Sequence, residues 1–219
     1  MASEKIANAN VTIGWTSDLA DFDSFLTEAV EECARIIPGC HYIIAGADKI
    51  ASSASAYTAD TVLKQAVRMS RLDGWTIDPL DAVQQLNLIL NNRYSNTDYI
   101  ILLTKQKMTP RQVGDRYEYH LNGSAIISLQ PCQDIDDMQK FTTFMLKHVM
   151  GHFYIEESPH AHCVTDYCTM SDTEYYRRIM ELADCEADFG LDSFCEDCKE
   201  RLRASELWDD DYTSTVEHR

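Results

Sequence analysis

The chain has 219 residues, 45% of them hydrophobic and 25% charged, which is enough to bury a sizeable core in one globular domain. Its 36 acidic and 19 basic side chains give a formal net charge of −17, which repels nucleic acid phosphate and anionic membrane surfaces. No stretch approaches the roughly 20 apolar residues of a membrane span, and residues 1–10 lack the basic start and apolar run of an export signal, so a soluble, cytoplasmic protein with no nucleic acid or membrane partner is expected.

Strand-like and helix-like segments alternate over the first half. Residues 11–15 read as a short strand. Residues 21–37 predict a helix, with Phe22, Phe25, Leu26, Ala29, Val30, Cys33 and Ile37 near helical spacing and Pro38-Gly39 as a stop. Residues 41–45 form a second apolar run. Helices are predicted over 58–71 and over 80–92, the latter opened by Asp78-Pro79. Residues 99–103 are uniformly apolar and read as a buried strand. The polar stretch 104–120, with Pro110 and Gly114, predicts a long surface loop or hairpin. Residues 124–129 read as a further strand. A long helix is predicted over 134–152, opened by Asp134, Asp136 and Asp137, because carboxylates suit the partial positive charge of a helix N-terminus. A Cys- and His-rich loop runs to Met170. Helices are predicted over 173–187 and 192–207, and a frayed tail over 208–219. Alternating strands and helices predict an α/β (α+β) layered architecture. No linker or repeat divides residues 1–219, so they read as a single domain: a sheet-and-helix part over 1–133, a Cys- and His-rich part over 134–207 and the tail.

Two constellations in the C-terminal third carry chemistry. His148 and His152 lie four residues apart, which places both imidazoles on one face of a helix. Phe141 and Met145 precede them on nearly the same stripe, so the pair faces inward. Buried ring nitrogens need partners, and a shared Zn²⁺ at about 2.0–2.1 Å supplies one. The third ligand is expected from His160 or His162 in the following loop. Separately, Cys163 and Cys168 enclose four residues, and Cys195 and Cys198 enclose two. Two such pairs can wrap a second, structural Zn²⁺; a redox pair at Cys195 and Cys198 is the alternative. Cys33, Cys40, Cys132 and Cys185 are dispersed and read as buried thiols.

The run His148-Val149-Met150-Gly151-His152, then His162-Cys163, Cys168-Thr169-Met170 and Phe194-Cys195-Glu196-Asp197-Cys198, resembles the signature of the archaemetzincins, zinc metallopeptidases of the metzincin clan with the pattern H-E-x-x-H-x-x-G-x-x-H-C-x4-C-x-M followed by C-x-x-C. The resemblance implies a metzincin-like mixed twisted sheet with an active-site helix and a Cys-rich, zinc-bound C-terminal segment. It implies a catalytic-type zinc on His148, His152 and His162, and a second zinc on Cys163, Cys168, Cys195 and Cys198. Met170 matches the methionine that lies beneath the metal, and the strand over 124–129 would be the specificity-forming edge by analogy.

Departures from the pattern bear on activity. The glutamate that takes a proton from metal-bound water is replaced by Val149. The helix-ending glycine is Ile155, and the strict position of the third histidine is Ser158, so His162 matches only across an insertion that brings His160, Glu156 and Glu157 with it. Three functions follow as expectations: an impaired or inactive metallopeptidase homologue that binds zinc and a peptide or protein partner; an active peptidase with its base relocated to Glu156 or Glu157; and a non-enzymatic module in which zinc only shapes the fold.

Overall fold

The computed structural model of the chain describes residues 9–47, 58–70, 74–91, 96–108, 117–155, 163, 168–170, 176–186, 194–211 and 213–218. Among them, Ala9–Trp15 (β1) and Tyr99–Thr104 (β5) are apolar runs that lie at the middle of a sheet and are buried nearly throughout. Parallel to them lie Cys40–Ala47 (β2) beside β1 and Ser124–Ser128 (β7) beside β5. Two four-residue strands close the edges, Glu118–Leu121 (β6) antiparallel to β7 and Thr215–His218 (β8) parallel to β2, giving the order β6-β7-β5-β1-β2-β8. Asn122 and Gly123, with φ of 51° and 79°, join β6 to β7 in the left-handed conformation that a tight two-residue hairpin requires.

The period of two along each strand sorts side chains between two helical layers. Val11, Ile13, Trp15, Ile101, Leu103, Ala125 and Ile127 face Asp23–Ile36 (α1) and Ile135–Ile155 (α4), with Leu26, Val30, Phe141 and Met145 in the same core. Ile100, Leu102 and Ile126 face the other way, onto Ala59–Ala66 (α2) and Pro79–Leu90 (α3). Each Val, Ile, Leu, Phe or Met among them contributes about 1.5–3 kcal/mol by leaving water. Side chains cap two of these helices: Thr58 accepts from the Thr61 amide, and Asp78 from the Leu80 and Asp81 amides with Pro79 in the first turn. Tyr176–Glu186 (α5) and Glu196–Ala204 (α6) pack against α4. This is the layered α/β architecture expected, and no helix among the described residues is long and apolar enough to cross a membrane.

Three expectations need correction. The helix over 58–71 stops at Ala66, because Val67 turns extended and Val67–Ser70 (β3) pairs antiparallel with Gly74–Ile77 (β4). The tail is not frayed along its length: β8 joins the outer edge of β2, with His41 Nδ1 2.7 Å from Thr215 Oγ1. The polar stretch 104–120, expected as a loop or hairpin, ends in strand β6, the first arm of a hairpin with β7. Finally, the strand over 124–129 is interior, since β6 covers it, and the free edge on that side belongs to β6. Cys33, Cys40 and Cys132 are buried as expected; the Cys185 side chain lies outside the described set.

Candidate metal centre

Helix α4 carries the histidines into the core. The Asp134 carboxylate accepts from the Asp137 amide at 2.9 Å and caps the start of the helix. The last three turns, from Met145 to Tyr154, are buried on every side. The surrounding layers explain this: the sheet lies on one side, α5 and α6 on another, and residues 168–170 close over a third. Gly151 is what lets residue 170 approach, because a Cβ there would overlap the Met170 sulfur and stand 3.4 Å from the Phe194 ring. A mid-helix glycine costs about 1 kcal/mol relative to alanine, so the close approach is the physical reason for its presence.

His148 and His152 are 0% and 2% exposed, and their rings lie 4.6 Å apart between centroids. His148 Nδ1 donates to the Thr169 carbonyl at 2.7 Å, which leaves the lone pair of the neutral ring on Nε2. Strand β6 brings two further groups to the same place. Glu118 and His120 alternate with Tyr119 and Leu121, so they share the face of Ala125 and Ile127, under α4. Both are about 95% buried. His120 stacks on His152 at 4.4 Å and donates from Nδ1 to Glu118 Oε2 at 2.9 Å, while Glu118 Oε1 stands 3.9 Å from His148 Nε2. Burial alone would raise the Glu118 carboxyl, but the charge and hydrogen bond of His120, with His148 and His152 behind it, hold it far below the usual carboxylate range.

The cysteines converge more tightly. The ligand sulfurs of Cys163, Cys168, Cys195 and Cys198 all lie within 4.8 Å of one another, with Cys163 and Cys195 at 3.6 Å. Four thiolates around one Zn²⁺ at about 2.3 Å would sit about 3.8 Å apart, so the set fits a tetrahedral ion and is too wide for a disulfide. The Met170 and Cys195 amides both point at Cys168 Sγ at 3.4 Å, and Cys195 and Cys198 sit at the N-cap and first turn of α6. A hydrogen bond from Cys198, stronger than the opposing effect of burial, pulls the Cys168 thiol down to about 5; the proton it shares stays with Cys198, whose thiol is pushed up. No other trio of His, Cys, Asp or Glu ligand atoms among the described residues is as closely gathered.

Solved structures that resemble this chain include two archaemetzincins and a zinc-dependent peptidase. An archaemetzincin of Methanopyrus kandleri superposes with a TM-score of 0.60 at 15% identity, over 93% of this chain and 97% of that one. The chain has the archaemetzincin fold. The archaemetzincin of Archaeoglobus fulgidus, solved with malonate, gives 0.54 at 12% identity, and a zinc-dependent peptidase of Methanocorpusculum labreanum gives 0.51 at 15%; each covers 88% of this chain and 99% of its own. No protein-family model and no curated protein matches by sequence.

Within that fold, the structure unites His148 with His152 and gathers all four expected cysteines. His160, His162, Glu156 and Glu157 lie outside the described residues. Val149 is fully buried in the main core cluster and offers no proton acceptor. Glu118 and His120 were hidden in a stretch read as a surface loop or hairpin; the one local signal was the alternation Glu-Tyr-His-Leu running into Asn-Gly, a hairpin cue. The donor sets suit zinc at both places: cysteine sulfurs at one, and at the other imidazoles oriented by the Thr169 carbonyl and by Glu118.

Proposed function

We propose that this chain is a zinc-binding protein of the archaemetzincin fold in which peptide hydrolysis is impaired, and that it acts by binding a peptide or protein partner. The observation that carries the reading is Val149. It follows His148 directly, where the motif it resembles has the general base, and a buried aliphatic side chain cannot take up a proton. Bound zinc would supply Lewis acidity and a water acidified to a pKa of about 7. Without a positioned base the proton of that water has no acceptor, which removes about 10²–10⁴-fold in rate. Glu118 is a carboxylate in the same place, but one of its oxygens is committed to His120. The reading takes two zinc ions per chain: a closed, structural one on Cys163, Cys168, Cys195 and Cys198, and one on His148 and His152.

The test pairs metal analysis with a peptide-cleavage assay. About two zinc ions per chain are expected, with one retained in a His148→Ala, His152→Ala double variant, and no cleavage that chelators abolish. Robust chelator-sensitive cleavage, lost in Glu156→Gln, Glu157→Gln or Glu118→Gln, would reverse the reading in favour of an active peptidase with a relocated base.

A further inference from the structure

We propose that His120 is a ligand of the metal held by His148 and His152, oriented by Glu118, so that this centre draws one imidazole from the edge strand β6. The inference rests on the two-zinc reading above and adds a residue that no part of the resembled motif contains. Three observations converge on it. First, His120 Nδ1 donates to Glu118, which assigns the lone pair of the neutral ring to Nε2. That nitrogen is buried and finds no hydrogen-bond partner among the described residues. A buried polar atom left so is destabilising, and a cation removes the cost. Second, the pattern repeats that of His148, whose Nδ1 is tied to the Thr169 carbonyl. Carboxylate or carbonyl on one ring nitrogen and metal on the other is the usual arrangement of a ligating imidazole. Third, the His120 and His152 rings are 4.4 Å apart and the His148 and His152 rings 4.6 Å. Three imidazoles on one zinc have centroids about 5 Å apart, from metal–nitrogen distances of about 2.1 Å.

The alternation of β6 makes this placement structural rather than fortuitous. The His120↔Ala125 pairing fixes the register, and a slip of one residue would turn both Glu118 and His120 onto the opposite sheet face, toward α3 and away from α4. The small side chain of Ala125, opposite His120, leaves room for the ring.

The experiment is a metal titration of the full chain. The Cys site is first filled with Zn²⁺, and Co²⁺ is then added to wild type, His120→Ala, His120→Cys and Glu118→Gln. Circular dichroism verifies that each variant is folded. Wild type is expected to take up a second ion. Its affinity is expected to fall at least 100-fold in His120→Ala and about 10–100-fold in Glu118→Gln. His120→Cys is expected to add a near-ultraviolet thiolate-to-cobalt absorption, a gain of signal that a merely structural histidine would not give. If wild type takes up a second ion and His120→Ala binds it within twofold of wild type, the inference is overturned while the two-zinc reading stands. The same holds if His120→Cys adds no absorption. If wild type holds only the Cys-bound ion, both fall.

Discussion

Gly151 offers the sharpest test of how α4 is packed. In an ordinary buried helix, glycine to alanine stabilises by about 1 kcal/mol through helix propensity. Here the added methyl group would overlap the Met170 sulfur and press on Phe194, and overpacking of this kind costs about 1–3 kcal/mol. Gly151→Ala should therefore be neutral or destabilising, by about 0–2 kcal/mol. Met170→Ala removes a side chain that is 2% exposed and should cost about 2–5 kcal/mol. In that background the alanine at 151 meets no sulfur, so it should stabilise by about 1 kcal/mol. The double variant is then less damaged than the two singles summed, with a coupling energy of about 1–3 kcal/mol. Urea unfolding of the four proteins at saturating Zn²⁺ measures it. If Gly151→Ala stabilises equally in both backgrounds, Met170 does not lie against the helix as described, and the explanation of the glycine fails.

Alkaline pH should weaken the fold. Burial pushes the thiols of Cys33, Cys40 and Cys132 from 9.0 to about 12, 11 and 12, so these cysteines favour the folded state below pH 9 and lose that contribution as pH rises toward 11–12. At pH 10 each costs about 1.4 kcal/mol relative to pH 8, and the urea midpoint should fall accordingly, less so in Cys33→Ala. The same three thiols should resist alkylation at pH 8 in the folded protein, and chelation should expose Cys163 and Cys195 to reagent, as peptide mapping would report. Asp23→Ala should cost about 1–3 kcal/mol in thermal unfolding, because it strands the indole N–H of fully buried Trp15, which now donates to Asp23 at 2.7 Å.

Legibility in the sequence followed the strength of the local pattern. The helix over 134–152 and the strand over 99–103 were readable because a long amphipathic stripe and a uniform apolar run each have one satisfactory burial. The four cysteines were readable because two cysteine pairs at short spacing match the ligand pattern of a zinc site. Strands β6 and β8 were not. Each is four residues long, carries charged side chains and lies at a sheet edge, where pairing supplies what hydrophobicity does not. That is also why Glu118 and His120 escaped notice: a buried carboxylate and imidazole look like surface residues until the hairpin register turns them inward.

Three consecutive residues touch both groups of metal-ligand candidates. Cys168 belongs to the sulfur cluster, the Thr169 carbonyl fixes the His148 ring, and Met170 wedges against the helix at Gly151. A cation seated among the sulfurs thereby splints the tripeptide that aims the imidazole. Thermodynamic reciprocity then requires the favour to be returned: each ion should be held more firmly when its neighbour is present, and stripping one should loosen the other by the same factor.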